Sequence, residues 1–244
     1  MSPTAAKTVL KQYQTQVLRW NRQINLISRR DSEAQLRSLV GQCWNCLDVL
    51  LESARPDLKH PDGLLYFDLG SGAGLPGVVW HALLAEKGYA PRTCLVEPRE
   101  KRAWFLQRVS ALAGMRPFAV FQGRWGDTGE FGYRQEDETA PGAILISLKA
   151  LHLTDPEVLD GLAMAWGPAA QPLAAGQSLQ IARFYPGGQV LDPALAADLM
   201  IPAAGSASVA GALGFEATDA RILSPTNSPG VSLVLSSYRL VAPA

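Results

Sequence analysis

The sequence predicts a doubly wound α/β sheet, mostly parallel with an antiparallel C-terminal strand, and an N-terminal helical extension. Five alternating β/α units follow residue 63, a glycine-rich turn follows the first apolar run, and two strand-like segments close the chain. Such alternation is typical of a parallel sheet covered by helices on both faces. We place the extension at residues 1–60 and the α/β domain at residues 61–244.

Two helices make up the predicted extension. Residues 3–27 carry apolar side chains close to helical period, and Ser2 is a candidate N-cap. Asp31 is the candidate N-cap of a second helix that runs to about Ser53. The stretch 55–63 contains two prolines and predicts a linker to the α/β domain.

The α/β domain is predicted from short buried strands and the helices between them. The predicted strands are residues 64–68, 93–97, 118–121, 143–147 and 178–182. The predicted connecting helices are residues 76–87, 99–113 and 155–166. A turn-rich link joins the last two predicted strands, residues 215–223 and 231–240.

Composition excludes several classes of protein. Of 244 residues, 48% are hydrophobic and 18% charged, and 22 Lys/Arg balance 22 Asp/Glu, which is ordinary globular composition. The N-terminus lacks a signal-peptide pattern, and a proline and three glycines interrupt the uncharged run of residues 199–215. We therefore expect a cytoplasmic protein that does not cross a membrane, and we expect a monomer.

The cysteines and the distribution of charge bear on two further possibilities, a metal site and an anionic partner. Cys43 and Cys46 lie on the apolar face of a predicted helix with no second pair at zinc spacing, so we expect core residues and no metal site. Residues 1–60 carry nine Lys/Arg against five Asp/Glu, and residues 92–124 carry seven against two. These basic blocks permit an anionic partner, although solvated helix faces explain them equally well.

Two acids stand at the ends of neighbouring predicted strands. Asp68 opens the loop Asp68-Leu-Gly-Ser-Gly-Ala-Gly-Leu-Pro-Gly77, and Glu97 ends the second strand. Glycines where a strand turns into a helix let a ligand approach the backbone, and the helix N-terminus favours anionic groups. An acid at the second strand end can accept hydrogen bonds from ribose hydroxyls.

Two cofactor classes fit this loop. Residues 72–77 match the Gly-x-Gly-x-x-Gly dinucleotide fingerprint, but a pyrophosphate needs N–H donors and Pro76 removes one. S-Adenosylmethionine has a ribose, a zwitterionic amino acid and no phosphate, so we expect it as the cofactor, with Asp68 toward its cationic end. An NAD-dependent reductase is the alternative. The predicted cofactor-binding residues here are Asp68, Gly70, Ser71, Gly72, Gly74 and Glu97.

Further candidates follow the third and fourth strands. Trp125 can pack against an adenine, although a core position suits an indole equally well. Ser147 and Lys149 lie at the carboxyl end of the fourth strand, the edge where open α/β sheets bind ligands. We predict that Trp125 and Ser147 bind the cofactor and that Lys149 contacts a substrate phosphate or the cofactor carboxylate.

Several segments resemble the RsmG/GidB family of bacterial methyltransferases, which modify guanine N7 of small-subunit ribosomal RNA. The loop Asp68–Gly77, Leu95-Val-Glu-Pro-Arg-Glu-Lys-Arg102 and Phe105-Leu106 are similar to the catalytic-domain motifs of that family. Leu18-Arg-Trp-Asn-Arg-Gln-Ile-Asn-Leu26 resembles its preceding helix end, and Gly123-Arg124 its turn after the third strand. These segments lie in the family's order within about residues 15–125.

The resemblance implies a Rossmann-like class I methyltransferase domain that binds S-adenosylmethionine, and direct in-line methyl transfer to guanine N7. Ribosomal RNA or the small ribosomal subunit is then the expected partner. The resemblance also implies that Arg124 contributes to cofactor binding, that Lys149 and Asn25 serve catalysis, and that Lys101 and Arg102 contact RNA. Asn25 is expected to close the cofactor site.

The chain departs from the family pattern at three places. Lys149-Ala150 stands where the family usually has Arg-Ala, and lysine keeps the charge without the bidentate fork. Trp125-Gly126 replaces the usual Ala-Glu, and residues 127–138 form an acidic, insertion-like loop. These departures leave two alternatives: the same scaffold methylating another RNA or a small molecule, and a catalytically silent paralogue that binds RNA or protein.

Overall fold

A computed structural model describes residues 3–59, 63–127, 142–166, 176–186, 215–228 and 231–240. The helices are α1 (Pro3–Trp20), α2 (Ser32–Leu58), α3 (Gly77–Glu86), α4 (Glu100–Ser110) and α5 (Asp155–Trp166). The strands are β1 (Leu64–Leu69), β2 (Arg92–Val96), β3 (Ala119–Phe121), β4 (Ala143–Lys149), β5 (Ser178–Pro186), β6 (Phe215–Leu223) and β7 (Val231–Leu240). Ser2 and the acidic segment 128–138 lie outside the described residues.

The seven described strands form one sheet in the order β3-β2-β1-β4-β5-β7-β6. The first five strands pair in parallel, whereas β7 runs antiparallel to both β5 and β6. The order reverses direction between β1 and β4, which is where doubly wound sheets bind ligands. The predicted fold class is therefore confirmed: a doubly wound, Rossmann-like class I methyltransferase sheet with an antiparallel C-terminal strand.

Helices cover the sheet through two apolar clusters. Alternate β1 residues enter them, so that Leu64 and Tyr66 lie in one cluster while Leu65 and Phe67 lie in the other. The first cluster contains the buried sides of α1, α2, α3 and α4, and the second contains those of α5. The two N-terminal helices thus share a continuous core with the α/β part, and the division near residue 60 remains a prediction from sequence.

Helix α1 is shorter than predicted because Asn21 ends it. The buried Asn21 side chain accepts hydrogen bonds from the backbone N–H groups of Leu26 (2.9 Å) and Ile27 (3.0 Å). These bonds hold residues 21–27 in a compact turn. The helix therefore ends at Trp20, although the apolar periodicity of the sequence continues beyond it.

Helix α2 is longer than predicted, and part of the predicted linker is wrong. The helix continues to Leu58 across a kink at Ala54, where φ is −120°. Asp31 does precede the helix, but its backbone adopts a left-handed conformation (φ 48°) and its side chain caps no N–H group. Burial of Ala54 and Leu58 in the core favours helix beyond the kink despite the nearby proline.

Cys43 and Cys46 are core residues, as predicted. Both thiols are unexposed, and burial raises the pKa of each to about 12. The Cys43 backbone carbonyl accepts a hydrogen bond from the Trp80 indole (2.7 Å), which joins α2 to α3. Among the described residues, no helix has the length and apolarity needed to cross a membrane.

Candidate cofactor site

Asp68 anchors the glycine loop at the end of β1. Its side chain is 1% exposed, and it accepts hydrogen bonds from the Ser147 hydroxyl (2.6 Å) and the Gly77 N–H (3.2 Å). Tyr66 lies 2.8 Å from the same serine oxygen and donates to it, because Ser147 gives its proton to Asp68. Burial raises the pKa of Asp68 to about 6. Asp68 therefore joins β1, β4 and the start of α3.

The loop between β1 and α3 folds against the end of β2. The N–H groups of Gly70 (2.9 Å) and Ser71 (3.1 Å) both donate to the carbonyl of Val96. Gly74 donates to the Ser71 carbonyl (2.7 Å), and the Ser71 hydroxyl donates to the Asp68 carbonyl (2.8 Å). Most of the polar backbone of the loop is thus already paired within the protein.

Glycine is required at two loop positions for different reasons. Gly74 has φ 97°, a conformation that side chains with a Cβ rarely adopt. A Cβ on Gly77 would lie 2.5 Å from both Asp68 Oδ2 and Leu95 Cδ2. Gly77 therefore allows α3 to begin directly against the two strands that carry the acidic residues.

Glu97 faces the loop from the end of β2. It is 3% exposed and accepts hydrogen bonds from the N–H groups of Gly72 (2.8 Å) and Arg99 (2.9 Å) through different carboxylate oxygens. Each carboxylate oxygen has a further lone pair available to a donor. The structure thus brings Asp68, Gly70, Ser71, Gly72, Gly74 and Glu97 together at one edge of the sheet.

The N-terminal extension holds this loop from the other side, a contact that sequence reasoning missed. The buried Tyr13 hydroxyl of α1 donates to the Ala73 carbonyl (2.9 Å), across 60 residues of sequence. Arg102 of α4 donates to the Asn25 carbonyl (2.7 Å), and a Cβ on Gly72 would lie 3.7 Å from its Nη1. Tyr13 stands in an apolar stripe, so no sequence signal distinguishes it from other core residues.

Asn25 lies beside the loop as an exposed residue, and the structure places its backbone carbonyl in contact with Arg102. Lys101, its neighbour on α4, is exposed. The catalytic role of Asn25 and the RNA contacts of Lys101 and Arg102 remain predictions.

Arg124 and Trp125 follow β3 in a turn. The Arg124 N–H donates to Asp127 Oδ2 (2.6 Å), and the arginine is exposed. The Trp125 indole donates to the Val158 carbonyl of α5 (2.8 Å), and its ring centroid lies 5.3 Å from that of Phe67. Trp125 therefore packs between the sheet and α5, and its contact with an adenine remains a prediction.

Lys149 lines a cavity of about 570 Å³ at the carboxyl ends of β4 and β5. Leu39 and Gln42 of α2 also line this cavity. Arg183 also lines the cavity, but it forms a buried ion pair with Asp155 and donates to the Leu153 carbonyl. Among the salt bridges of the described residues, none involves Lys149, whose side chain is half-buried.

The cavity and the loop meet at Leu151, which lines the cavity and contacts Gly70. Ser147 supports Asp68 from β4, two residues before Lys149, and it is unexposed, so its direct contact with a cofactor remains a prediction. Leu151 lies against Gly70, since a Cβ added to Gly70 would be 3.5 Å from Leu151 Cδ2. A group bound along the loop and a group bound in the cavity would therefore be neighbours.

Comparison with known proteins indicates the family of this chain. A family model described as GidB, rRNA small subunit methyltransferase G, matches residues 6–140. Proteins named ribosomal RNA small subunit methyltransferase G are similar to this chain. The relative from Nitratidesulfovibrio vulgaris is 35% identical over 111 residues, and that from Cereibacter sphaeroides is 37% identical over 99 residues. These alignments cover 44% and 40% of this chain, and 45% and 43% of the relatives, so the chain matches less than half of their length.

A longer alignment is found with the protein of the same name from Bordetella avium, at 28% identity over 173 residues, covering 64% of this chain and 73% of that protein. Among solved structures, an rRNA methylase from Streptococcus thermophilus has a TM-score of 0.42 at 16% identity, over 81% of this chain and 95% of its own. That structural similarity is too low to add to the assignment. The family match spans more than half of the sequence, and the chain therefore belongs to the GidB family, rRNA small subunit methyltransferase G.

Proposed function

We propose that this chain is an S-adenosylmethionine-dependent methyltransferase whose substrate is guanine N7 of small-subunit ribosomal RNA. The cofactor assignment rests on one observation: most backbone N–H groups of the glycine loop are already hydrogen-bonded within the protein. The N–H groups of Gly70, Ser71, Gly72 and Gly74 all donate within the protein, and Pro76 has none. A pyrophosphate needs such donors to be free, so the loop disfavours a dinucleotide.

The same site suits a nucleoside that carries no phosphate. Glu97 is held by two backbone N–H groups with its remaining lone pairs available, which favours binding of vicinal ribose hydroxyls. Asp68 supports the loop from within the sheet, and a direct contact with the methionine ammonium group is part of this proposal. Arg124, Trp125 and Ser147 complete the proposed cofactor-binding set.

S-Adenosylmethionine would supply a methyl group bound to a sulfonium. The lone pair of guanine N7 would attack the methyl carbon in line while the C–S bond breaks, so that S-adenosylhomocysteine leaves and no general base is needed. The protein has to hold the purine in line and exclude water from it. We assign the 570 Å³ cavity beside Leu151 to this acceptor base, since it adjoins the loop and has mostly apolar lining residues. Lys149 supplies a cation for a phosphate or carboxylate at its edge, and Asn25 closes the opposite side of the site.

Calorimetric titration with S-adenosylhomocysteine, and with NADH as the control, tests the cofactor assignment. Micromolar binding of the first and none of the second is expected, and the reverse result would make the chain a reductase. Methyl transfer to the small ribosomal subunit, to its isolated RNA and to small-molecule acceptors then tests the substrate.

Lys149→Ala tests the acceptor site separately. We expect it to keep affinity for S-adenosylhomocysteine and to lower methyl transfer, with Lys87→Ala, on the surface at the end of α3, as the control. Cofactor binding without transfer to any RNA would favour a small-molecule substrate, and absence of both would favour a silent paralogue.

A further inference from the structure

Two tryptophans from different helices meet on an exposed face of the protein. Trp20 ends α1 and Trp104 lies on α4, with ring centroids 4.8 Å apart and ring planes at 83°. Trp104 is 40% exposed, which is high for a side chain of this size. The edge-to-face contact fixes its indole while leaving part of the ring open to solvent.

Arginine side chains surround this pair. The Arg108 guanidinium lies 5.0 Å from the ring centroid of Trp104 and 5.8 Å from that of Trp20. Arg19 lies 5.9 Å from the Trp20 ring on the side of α1. Each distance is within the range of a cation–π contact, so the aromatic surface is both preorganised and positively charged.

A groove of about 450 Å³ runs beside the tryptophans. Three glutamines line it (Gln23, Gln107 and Gln122), and their amides can both donate and accept hydrogen bonds. Its charged lining residues are Lys101 and Glu100, both on α4. Cations therefore exceed acids around the groove once Arg19 and Arg108 are included.

We propose that Trp20, Trp104 and Arg108 form a stacking platform for an unpaired nucleotide of the RNA substrate, outside the acceptor position. This proposal rests on the proposed function, because it assigns to that RNA a second contact. Aromatic and arginine planes stack on nucleobases of any sequence, whereas bases within a duplex are inaccessible to them. The cationic surroundings favour RNA over a protein partner, since they also attract its phosphates.

The position of the platform agrees with a nucleotide that flanks the acceptor. Ile24 lines the groove and is followed by Asn25, whose carbonyl holds Arg102 beside the glycine loop. Gln122 lines the groove from the turn after β3, just before Gly123-Arg124. The groove therefore shares two chain segments with the borders of the proposed cofactor site.

The test measures binding of a fluorescein-labelled ten-nucleotide single-stranded RNA and of its blunt duplex by fluorescence anisotropy. We expect Trp104→Ala to weaken single-strand binding about 5- to 150-fold, the range that corresponds to the loss of one base–aromatic stack. Trp104→Phe should recover part of the loss. Met164→Ala, which removes another exposed apolar side chain on α5, should bind the RNA like the parent protein.

Titration of the same proteins with S-adenosylhomocysteine separates this proposal from the proposed function. Unchanged cofactor affinity with weakened RNA binding supports the platform. Equal RNA affinity of Trp104→Ala and the parent overturns it, even if the parent methylates ribosomal RNA. Three other results would also overturn it. Trp104→Ala could weaken duplex binding as much as single-strand binding, the parent protein could bind no RNA, or Trp104→Ala could change self-association alone. If the parent protein does not bind S-adenosylhomocysteine, that result would instead contradict the proposed function. The ratio of the single-strand RNA affinities of Trp104→Ala and the parent would still test the platform.

Discussion

Replacement of Tyr13 by phenylalanine removes one hydroxyl from the contact between α1 and the glycine loop. That hydroxyl is fully buried and donates at 2.9 Å to the Ala73 carbonyl, and Ala73 is itself buried. Phenylalanine keeps the ring and its packing, so the change is confined to one donor. The Ala73 carbonyl then loses this partner at a site from which water is largely excluded.

The expected cost of this substitution is about 1–3 kcal/mol of unfolding free energy, the penalty for a buried polar group that loses its partner. For a chain of this length that corresponds to a Tm lower by about 2–12 °C. Because the lost hydrogen bond holds the glycine loop, the substitution should also weaken cofactor binding. We expect the Kd for S-adenosylhomocysteine to rise about 3- to 10-fold, since a smaller fraction of the protein has the competent loop.

Tyr89→Phe is the matched control. Its hydroxyl is also buried but has no hydrogen-bond partner among the described residues, so its removal should be neutral or slightly stabilising. Thermal unfolding and calorimetric titration of the three proteins decide the question. An unchanged Tm for Tyr13→Phe would refute the contact, and a lower Tm with unchanged cofactor affinity would refute its role in holding the loop.

Three further predictions concern Glu97, Gly77 and Asp68. Glu97→Gln should raise the Kd for S-adenosylhomocysteine about 5- to 150-fold, because the amide replaces a charged acceptor; Glu100→Gln is the exposed control, and equal affinities would exclude Glu97 from the site. Gly77→Ala should destabilise the fold by about 1–3 kcal/mol in denaturant unfolding, since its Cβ would lie 2.5 Å from Asp68 Oδ2. Gly41→Ala in α2, where a Cβ meets nothing within 4 Å, should be neutral or stabilising, and similar losses for both variants would contradict the crowding. Burial raises the pKa of Asp68 to about 6, against about 4 unfolded, so the folded state binds the proton more tightly and the unfolding free energy should rise as pH falls from 7 to 5. Between pH 7 and pH 5 this contribution amounts to about 1–1.5 kcal/mol, and an equal pH slope in Asp68→Asn would exclude Asp68 as its source.

The sequence predicted most of the secondary structure because the central strands β1, β2 and β4 are buried on both faces. Continuous apolar runs such as Ala143–Ser147 can be recognised without knowing their partners. The ends of β6 and β7 were also predicted as observed, although much of β6 is not buried. The errors fall where a side chain or the tertiary core overrides periodicity. Asn21 ends α1 through hydrogen bonds to the following turn, and burial of Leu58 extends α2 beyond the predicted linker.

The candidate site was predicted in its acids and glycines because their spacing follows from the topology. The carboxyl ends of adjacent parallel strands meet at one edge, so Asp68 and Glu97 had to lie close together once β1 and β2 paired. The internal pairing of the loop amides could not be predicted, because hydrogen bonds to Val96 and Glu97 depend on how the loop folds. That pairing adds to the missing N–H of Pro76 as a physical reason against a dinucleotide.

Local periodicity and the positions of strand ends along the chain encode the fold class and the two acids with the glycine loop between them. The side chains that support this loop and surround it are brought there by contacts between distant parts of the folded chain. Tyr13 reaches Ala73 across 60 residues, and Trp20 meets Trp104 from a different helix. Such contacts depend on the relative position of packed elements, which is set by the shape of the common core and leaves no local pattern in the chain.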